Sequence, residues 1–119
     1  MQRNFNIIRA ILIAVDSAPA HHSFDIEVPG VTDEAISYHG RLLGEAGLIV
    51  ADDKGVDKHD ARRWKPTNLT SDGHELLDLI RNDKVWEAAK ALMLERTGTL
   101  TLAGLKVAVP IVLQRMLEA

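Results

Sequence analysis

The chain has 119 residues, of which 46% are hydrophobic and 26% charged, and it contains no cysteine. This length is sufficient for a core that needs no metal or disulfide, and the lack of cysteine excludes a disulfide framework, a thiolate zinc site and a cysteine nucleophile. The net charge is −3, which argues against a protein that coats nucleic acid by bulk charge, so any contact with nucleic acid is expected to be local.

The apolar stretch near the N-terminus resembles a signal peptide only superficially. Arg9 interrupts it and Asp16 follows it, which leaves residues 10–15 uninterrupted. A secretory apolar region needs roughly 7 to 15 residues, and no other segment approaches the roughly 18 apolar residues of a membrane span. The sequence therefore predicts a cytoplasmic protein without a membrane anchor.

The first half of the chain alternates helical and extended patterns. Asn4 is a good N-cap, and apolar residues recur at helical spacing until a breaker at residues 16–19. Residues 23–28 alternate apolar and polar side chains, which predicts a short strand with one buried face. Thr32 is the expected N-cap of a second helix, which we expect to end at Gly47.

The second helix is amphipathic on a helical wheel. Its buried arc includes His39, which we expect to be a core histidine bonded to a backbone carbonyl. The opposite arc is predicted to face solvent or a partner and consists of Glu34, Ser37, Tyr38, Arg41 and Glu45.

A hairpin is predicted next, with strands at residues 48–51 and 63–69 and a mobile polar tip at residues 52–62. The basic residues of this tip are expected to have no partner within the fold. Pro66 has no N–H, so the second strand is predicted to be an edge strand.

Three helices complete the chain. Thr70 or Ser71 is the expected cap of the third helix, Asn82 precedes the fourth, and Gly98 closes it. The last helix spans roughly residues 101–117 and is apolar nearly all round. The hydrophobic core is predicted to be built around Ile8, Leu12, Leu42, Leu43, Leu76, Leu77, Ile80 and Trp86.

The order of these elements is that of a winged helix-turn-helix domain, mainly α with a small antiparallel sheet, at residues 1–82. Residues 83–119 then form a C-terminal helical extension that packs on this domain, dimerises, or does both. Three stretches carry a more specific pattern, and they are His39–Ile49 (HGRLLGEAGLI), Leu69–Asp78 (LTSDGHELLD) and Ile80–Trp86 (IRNDKVW).

With this pattern, the sequence resembles a bacterial and prophage winged-helix family that is catalogued as a domain of unknown function. The resemblance extends over nearly the whole chain, from the first helix to the apolar tail. It implies a winged-helix fold and a phage-linked context, and it supplies no activity, ligand or binding site.

The hairpin is the predicted site of contact with a partner. Residues 54–65 carry a local charge of +3, which suits a wing that touches DNA phosphates. The acidic residues of the second helix count against DNA, so a protein partner at the same face is the alternative. The candidate binding residues are Ser37, Tyr38, Arg41, Lys54, Lys58, Arg62, Arg63 and Lys65.

The last helix is the predicted dimer interface. It has more apolar faces than one copy of a small domain can cover, and soluble monomers rarely expose a large apolar strip. The predicted seam consists of Leu105, Val109, Val112 and Met116.

Catalysis and metal binding have little support in the sequence. There is no nucleophile elbow and no glycine-rich phosphate loop, and the adjacent His21 and His22 lack the spacing of two ligands on one helix face. We therefore expect a non-enzymatic cytoplasmic protein without metal or cofactor. The role that fits these features best is a DNA-binding regulator that acts as a homodimer, and the alternative is a module that binds a host or phage protein without touching DNA.

Overall fold

The computed structural model describes residues 2–19 and 25–118. In these two ranges the chain is mainly helical with a small antiparallel sheet, as the sequence predicts. The elements in chain order are α1 (Phe5–Ser17), α2 (Asp33–Glu45), β1 (Ile49–Val56), β2 (Arg62–Leu69), α3 (Ser71–Ile80), α4 (Asp83–Thr97) and α5 (Leu102–Glu118).

Local capping signals account for where the helices begin and end. The side chains of Asn4, Thr32 and Asn82 accept hydrogen bonds from backbone N–H groups in the first turns of α1, α2 and α4. Thr70 does the same for α3, and Gly98 ends α4 with a left-handed φ of 74°. These caps satisfy helix-end groups that would otherwise have no partner, and the predictions for them are confirmed.

The strand predicted at residues 23–28 is not present where the structure describes this segment. Residues 23 and 24 lie outside the described residues, and residues 25–28 have no strand pairing, although Ile26 is buried between exposed neighbours. The hydrogen-bonding groups along the edge of β2 explain why no third strand pairs there. Trp64 donates its backbone N–H to Ser37 Oγ, and Pro66 has no N–H, so this stretch of β2 has no donor left for a third strand.

The hairpin strands are longer than predicted, and the tip comprises only residues 57–61. β1 and β2 pair antiparallel, with Asp53 opposite Trp64 and Val56 opposite Arg62. Between these pairs the register shifts at Gly55, whose φ is +78° and whose N–H bonds to Asp53 Oδ1 at 2.8 Å. A glycine in this conformation forms a bulge, so the pairing continues through the polar sequence.

The first compact unit comprises Met1–His74. Within it, α2 packs against both strands, and α1 packs against α2 and β2. Its buried apolar residues are Phe5, Ile8, Ile11, Leu12, Val15, Ile26, Ile36, Leu43, Leu48 and Ile49.

The second compact unit comprises Glu75–Ala119, in which α4 packs against α5. Its buried apolar residues are Leu76, Leu77, Ile80, Val85, Trp86, Ala89, Met93, Leu102, Leu105, Ala108, Val109 and Val112. Of the eight predicted core residues in the two units, seven are buried and Leu42 is half-buried.

The predicted dimer seam on α5 is largely buried inside the chain. Leu105, Val109 and Val112 are at most 5% exposed. Met116, the fourth residue of the predicted seam, is exposed. The reason is that α5 has two apolar faces, and the chain covers the one that the sequence predicts to be free. The opposite face carries Val107, which is 63% exposed.

No single helix in the described part of the chain is both long enough and apolar enough to cross a membrane. α4 and α5 are long and apolar enough only when they are taken together, and the chain bends by 117° between them.

Candidate functional site

Small residues on one face of α2 hold the hairpin against this helix. Ser37 is 6% exposed, and its Oγ accepts a hydrogen bond from the backbone N–H of Trp64 at 2.9 Å. One turn later, a Cβ at Gly40 would lie 2.9 Å from Cγ of Pro66, so only glycine fits this close approach. The sequence predicts that Ser37 faces outward. The structure corrects this prediction, because the hydroxyl of Ser37 is hydrogen-bonded to the backbone of β2.

A concave surface lies between α2 and the hairpin, and we call it the α2–β2 groove. Its volume is about 680 Å³. Here the structure brings together five of the eight predicted binding residues. The lining residues are Glu34, Ser37, Tyr38, Arg41, Ala61, Arg62, Arg63 and Trp64.

Two exposed arginines of the α2–β2 groove are each paired with one carboxylate. Arg41 Nε donates to Glu45 Oε1 at 3.0 Å, one turn further along α2. Arg62 Nη1 donates to Asp53 Oδ2 at 2.6 Å across the hairpin. Both arginine side chains are more than half exposed, so these pairs are weak in water and the remaining N–H groups can reach a ligand.

The third arginine belongs to the framework of the hairpin tip. Arg63 Nε donates to Asp57 Oδ2 at 2.6 Å, and its Nη2 lies 3.6 Å from Glu34 Oε1. The other oxygen of Asp57 accepts the backbone N–H groups of His59 and Ala61, at 2.8 and 3.0 Å. The hydrogen bond from Ala61 and the one from Arg63 lower the pKa of Asp57 to about 2, and Asp57 in turn raises the pKa of Arg63.

These contacts correct part of the prediction for the tip, in which none of the basic residues is expected to have a partner within the fold. Arg62 and Arg63 have partners within the chain, and Lys65 is 8% exposed on β2. The longer strands cause the difference, because they bring acidic residues of β1 and the tip opposite β2. Lys54 and Lys58 are exposed and have no ion-pair partner among the described residues.

A second groove of about 360 Å³ lies beside β2 and holds the other strand lysines. Lys54 and Lys65 line it together with Asp25 and Asp33. The basic residues that the sequence predicts as one binding site are therefore divided between two grooves. Lys58 lines neither of these grooves.

The charges of the two elements that form the α2–β2 groove are unequal. Across Ile49–Leu69, five basic residues face four acidic ones, a net charge of +1. α2 carries three acidic residues and one arginine, a net charge of −2. The cations of this site are thus concentrated on the hairpin, and the helix presents Arg41 between acidic side chains.

Glu34 lies on the predicted outer arc of α2 but is not among the predicted binding residues, and the sequence does not predict Ala61 and Trp64 as lining residues. Glu34 shares one helix face with Tyr38 and Arg41, at intervals of four and three residues, and this spacing is visible in the sequence. The position of Trp64 depends on how β2 docks on α2, which the sequence does not show.

Within residues 2–19 and 25–118, no three His, Asp or Glu side chains are grouped so that they could hold a metal ion. His59 is exposed at the hairpin tip, and His21 and His22 lie outside the described residues.

Comparison with known proteins places the chain in a family. Residues 2–99 match the family described as "Hypothetical protein (DUF2513)". A protein of Haemophilus influenzae (strain ATCC 51907 / DSM 11121 / KW20 / Rd), described as "Uncharacterized protein", is 36% identical over 119 residues, which cover 98% of this chain and 99% of that protein. No solved structure matches the chain. The expected membership of a family of unknown function is therefore confirmed, and the chain belongs to the family described as "Hypothetical protein (DUF2513)".

Proposed function

We propose that this protein is a DNA-binding regulator of the winged-helix class that uses the α2–β2 groove and the hairpin. One observation carries the proposal. Arg41 of α2 and Arg62 of β2 line one concave surface, and both side chains are more than half exposed. Arginines on a helix and an adjoining hairpin are the side chains that bind phosphates and base edges in a duplex.

The link between α2 and the hairpin supports this function because it fixes their relative position. The hydrogen bond from Trp64 to Ser37 joins two residues that line the groove, and Gly40 approaches Pro66 closely one turn further along α2. A helix in the major groove and a hairpin on the phosphates bind with less ordering cost when they already form one rigid surface. Lys58 at the tip supplies a further exposed cation.

The proposed cellular setting follows the sequence. We place the protein in the cytoplasm and in transcription regulation of a phage or prophage type, to which the resemblance of the sequence points. A homodimer is part of the proposal, with the exposed apolar face of α5 as its interface. Val107, Ile111 and Leu117 are exposed there, and burial of such a face in a symmetric contact is favourable.

Fluorescence anisotropy with a labelled random-sequence duplex tests this function across a salt series. The logarithm of the binding constant should fall linearly with the logarithm of the salt concentration. In the Lys58→Ala/Arg62→Ala variant the slope should become shallower by about 0.9 for each phosphate that is no longer neutralised. Arg96→Ala removes an exposed charge that does not line the groove, and it should leave the slope unchanged. No binding at low salt would exclude the function.

A second candidate function is binding of a protein at the same face. The observation in its favour is that Arg41 and Arg62 already have carboxylate partners, so the groove presents less free positive charge than the sequence predicts. Tyr38 is half-buried with its ring edge-on to His39 at 5.1 Å, an arrangement that suits an aromatic anchor. A partner that is captured from host lysate after nuclease treatment, and that Tyr38→Ala fails to capture, would support this alternative.

A further inference from the structure

Arg41 stands in the middle of the exposed stripe of α2. Glu34, Tyr38 and Glu45 share this stripe with it, at intervals of three and four residues. The side chain of Arg41 is 58% exposed. Arg41 is thus the cation on α2 that an approaching ligand meets first.

The ion pair with Glu45 determines which edge of Arg41 is available. Glu45 Oε1 takes the Nε–H, and the structure shows no partner for Nη1 or Nη2 among the described residues. The two Nη groups of a guanidinium form a planar fork that matches two acceptors side by side. Glu45 therefore leaves both Nη groups of the fork available to a ligand.

The acidic neighbours of Arg41 restrict the charge of the ligand. A phosphate or a carboxylate at the fork would approach Glu45, and the like charges would repel each other more strongly as water is excluded. A neutral pair of acceptors has no such penalty. The O6 and N7 atoms of guanine are such a pair, and they line the floor of the major groove.

The hairpin complements this arrangement. Lys58 and Arg62 are exposed on the element that carries the net positive charge. In B-DNA the phosphates flank the groove and the neutral base edges lie at its floor. The distribution of charge over α2 and the hairpin thus matches the distribution of charge across a duplex.

We propose that Arg41 reads a guanine in the major groove and that Glu45 is its positioning residue. This inference rests on the proposed DNA-binding function. It goes beyond that function because it names the base and separates the roles of two neighbouring side chains. A carboxylate of an acidic peptide is the competing ligand for the fork, and titration with a polyglutamate peptide distinguishes the two.

Selection from a random duplex pool, followed by anisotropy titrations, tests the inference. The selected sites should contain an invariant guanine, and 7-deazaguanine at that position, which lacks N7, should weaken binding about tenfold. Arg41→Ala should abolish this preference, and Arg41→Lys should weaken it, because a lysine can still donate to guanine but cannot form the planar fork. The salt dependence should remain close to that of the wild type, since the hairpin cations are intact.

Two variants of Glu45 separate positioning from general destabilisation. Glu45→Ala removes the acceptor and the charge, so binding to all duplexes should strengthen while the preference for guanine falls. Glu45→Gln also removes the charge but keeps an oxygen that accepts from Nε, so the preference should be retained. A helix that is merely destabilised would weaken binding to every duplex alike.

Three results would overturn the inference. If duplexes bind without any guanine preference, or if 7-deazaguanine has no effect, the reading by Arg41 is excluded although the DNA-binding function stands. If no duplex binds, both are excluded. If a polyglutamate peptide binds more tightly than a duplex and this binding requires Arg41, the fork recognises carboxylates instead.

Discussion

Asn4 and His39 are joined by a hydrogen bond of 2.9 Å in which the backbone N–H of Asn4 donates to Nε2 of His39. The other ring nitrogen, Nδ1, donates to the carbonyl oxygen of Ala35 at 2.7 Å. The imidazole is therefore a neutral linker between the start of α1 and the middle of α2, and His39 is 1% exposed. The expected backbone carbonyl partner is confirmed, and the bond to Asn4 adds a contact between two helices.

We expect His39→Phe to destabilise the fold by about 1 to 3 kcal/mol, because it leaves the part-buried backbone N–H of Asn4 without its partner. Urea denaturation followed by circular dichroism measures this change. His39→Gln is the control, since its amide oxygen can accept from Asn4 and should recover part of the stability. Equal midpoints for the wild type and His39→Phe would show that this hydrogen bond contributes nothing.

Gly73→Ala should destabilise the protein by about 3 kcal/mol. A Cβ at Gly73 would clash with the carbonyl oxygen of Leu48, a backbone atom that cannot rotate away. Gly44→Ala is the matched control, because its Cβ would lie 3.4 Å from Cβ of Ala51 and alanine favours a helix by up to about 1 kcal/mol over glycine. In thermal unfolding, the melting temperature of the wild type should lie well above that of Gly73→Ala and should not exceed that of Gly44→Ala. A Gly73→Ala variant as stable as the wild type would refute the close approach.

The carboxylate of Asp57 should make the hairpin sensitive to acid. Its pKa is about 2 in the folded state against an ordinary 3.8, so its stabilising effect is complete above the ordinary value and is lost as the pH falls toward 2. Asp57→Asn should therefore lose less stability than the wild type between pH 5 and pH 2. Urea midpoints across this range measure the difference, and parallel curves for the two proteins would contradict the assigned cause.

Val107→Glu should convert the proposed homodimer into a folded monomer, because it places a charge in the exposed apolar face of α5. Multi-angle light scattering at high micromolar concentration measures the mass. Ala91→Glu adds the same charge at an exposed position of α4 and should remain dimeric. Val112→Glu should instead unfold the protein, since Val112 is 5% exposed. A wild-type monomer at this concentration would eliminate the dimer.

Local sequence was sufficient to predict most helix boundaries. Asn4, Thr32 and Asn82 act within two or three residues of their own positions, where a side-chain oxygen meets the first free N–H groups. Gly98 acts through its own φ. Such interactions need no knowledge of distant residues, so the pattern of residue types determines them. The buried positions of Leu43 and Trp86 follow in the same way from helical periodicity.

The sites of contact depended on the tertiary structure. Ser37 is a polar residue on the predicted outer arc, and it is buried because the backbone of Trp64, 27 residues away, donates to it. Arg62 and Asp53 meet only once a bulge lets the hairpin pairing continue past Gly55.

Which of the two apolar faces of α5 is buried also depended on the tertiary structure. Leu105 and Val107 are equally apolar in the sequence, and only the packing of the folded chain buries the first and exposes the second. The sequence by itself determined the order of the five helices and the hairpin, the helix caps and the family. Tertiary structure decided which polar side chains became structural and which remained available to a partner, because hydrogen bonds, ion pairs and burial between distant residues are not encoded in local periodicity.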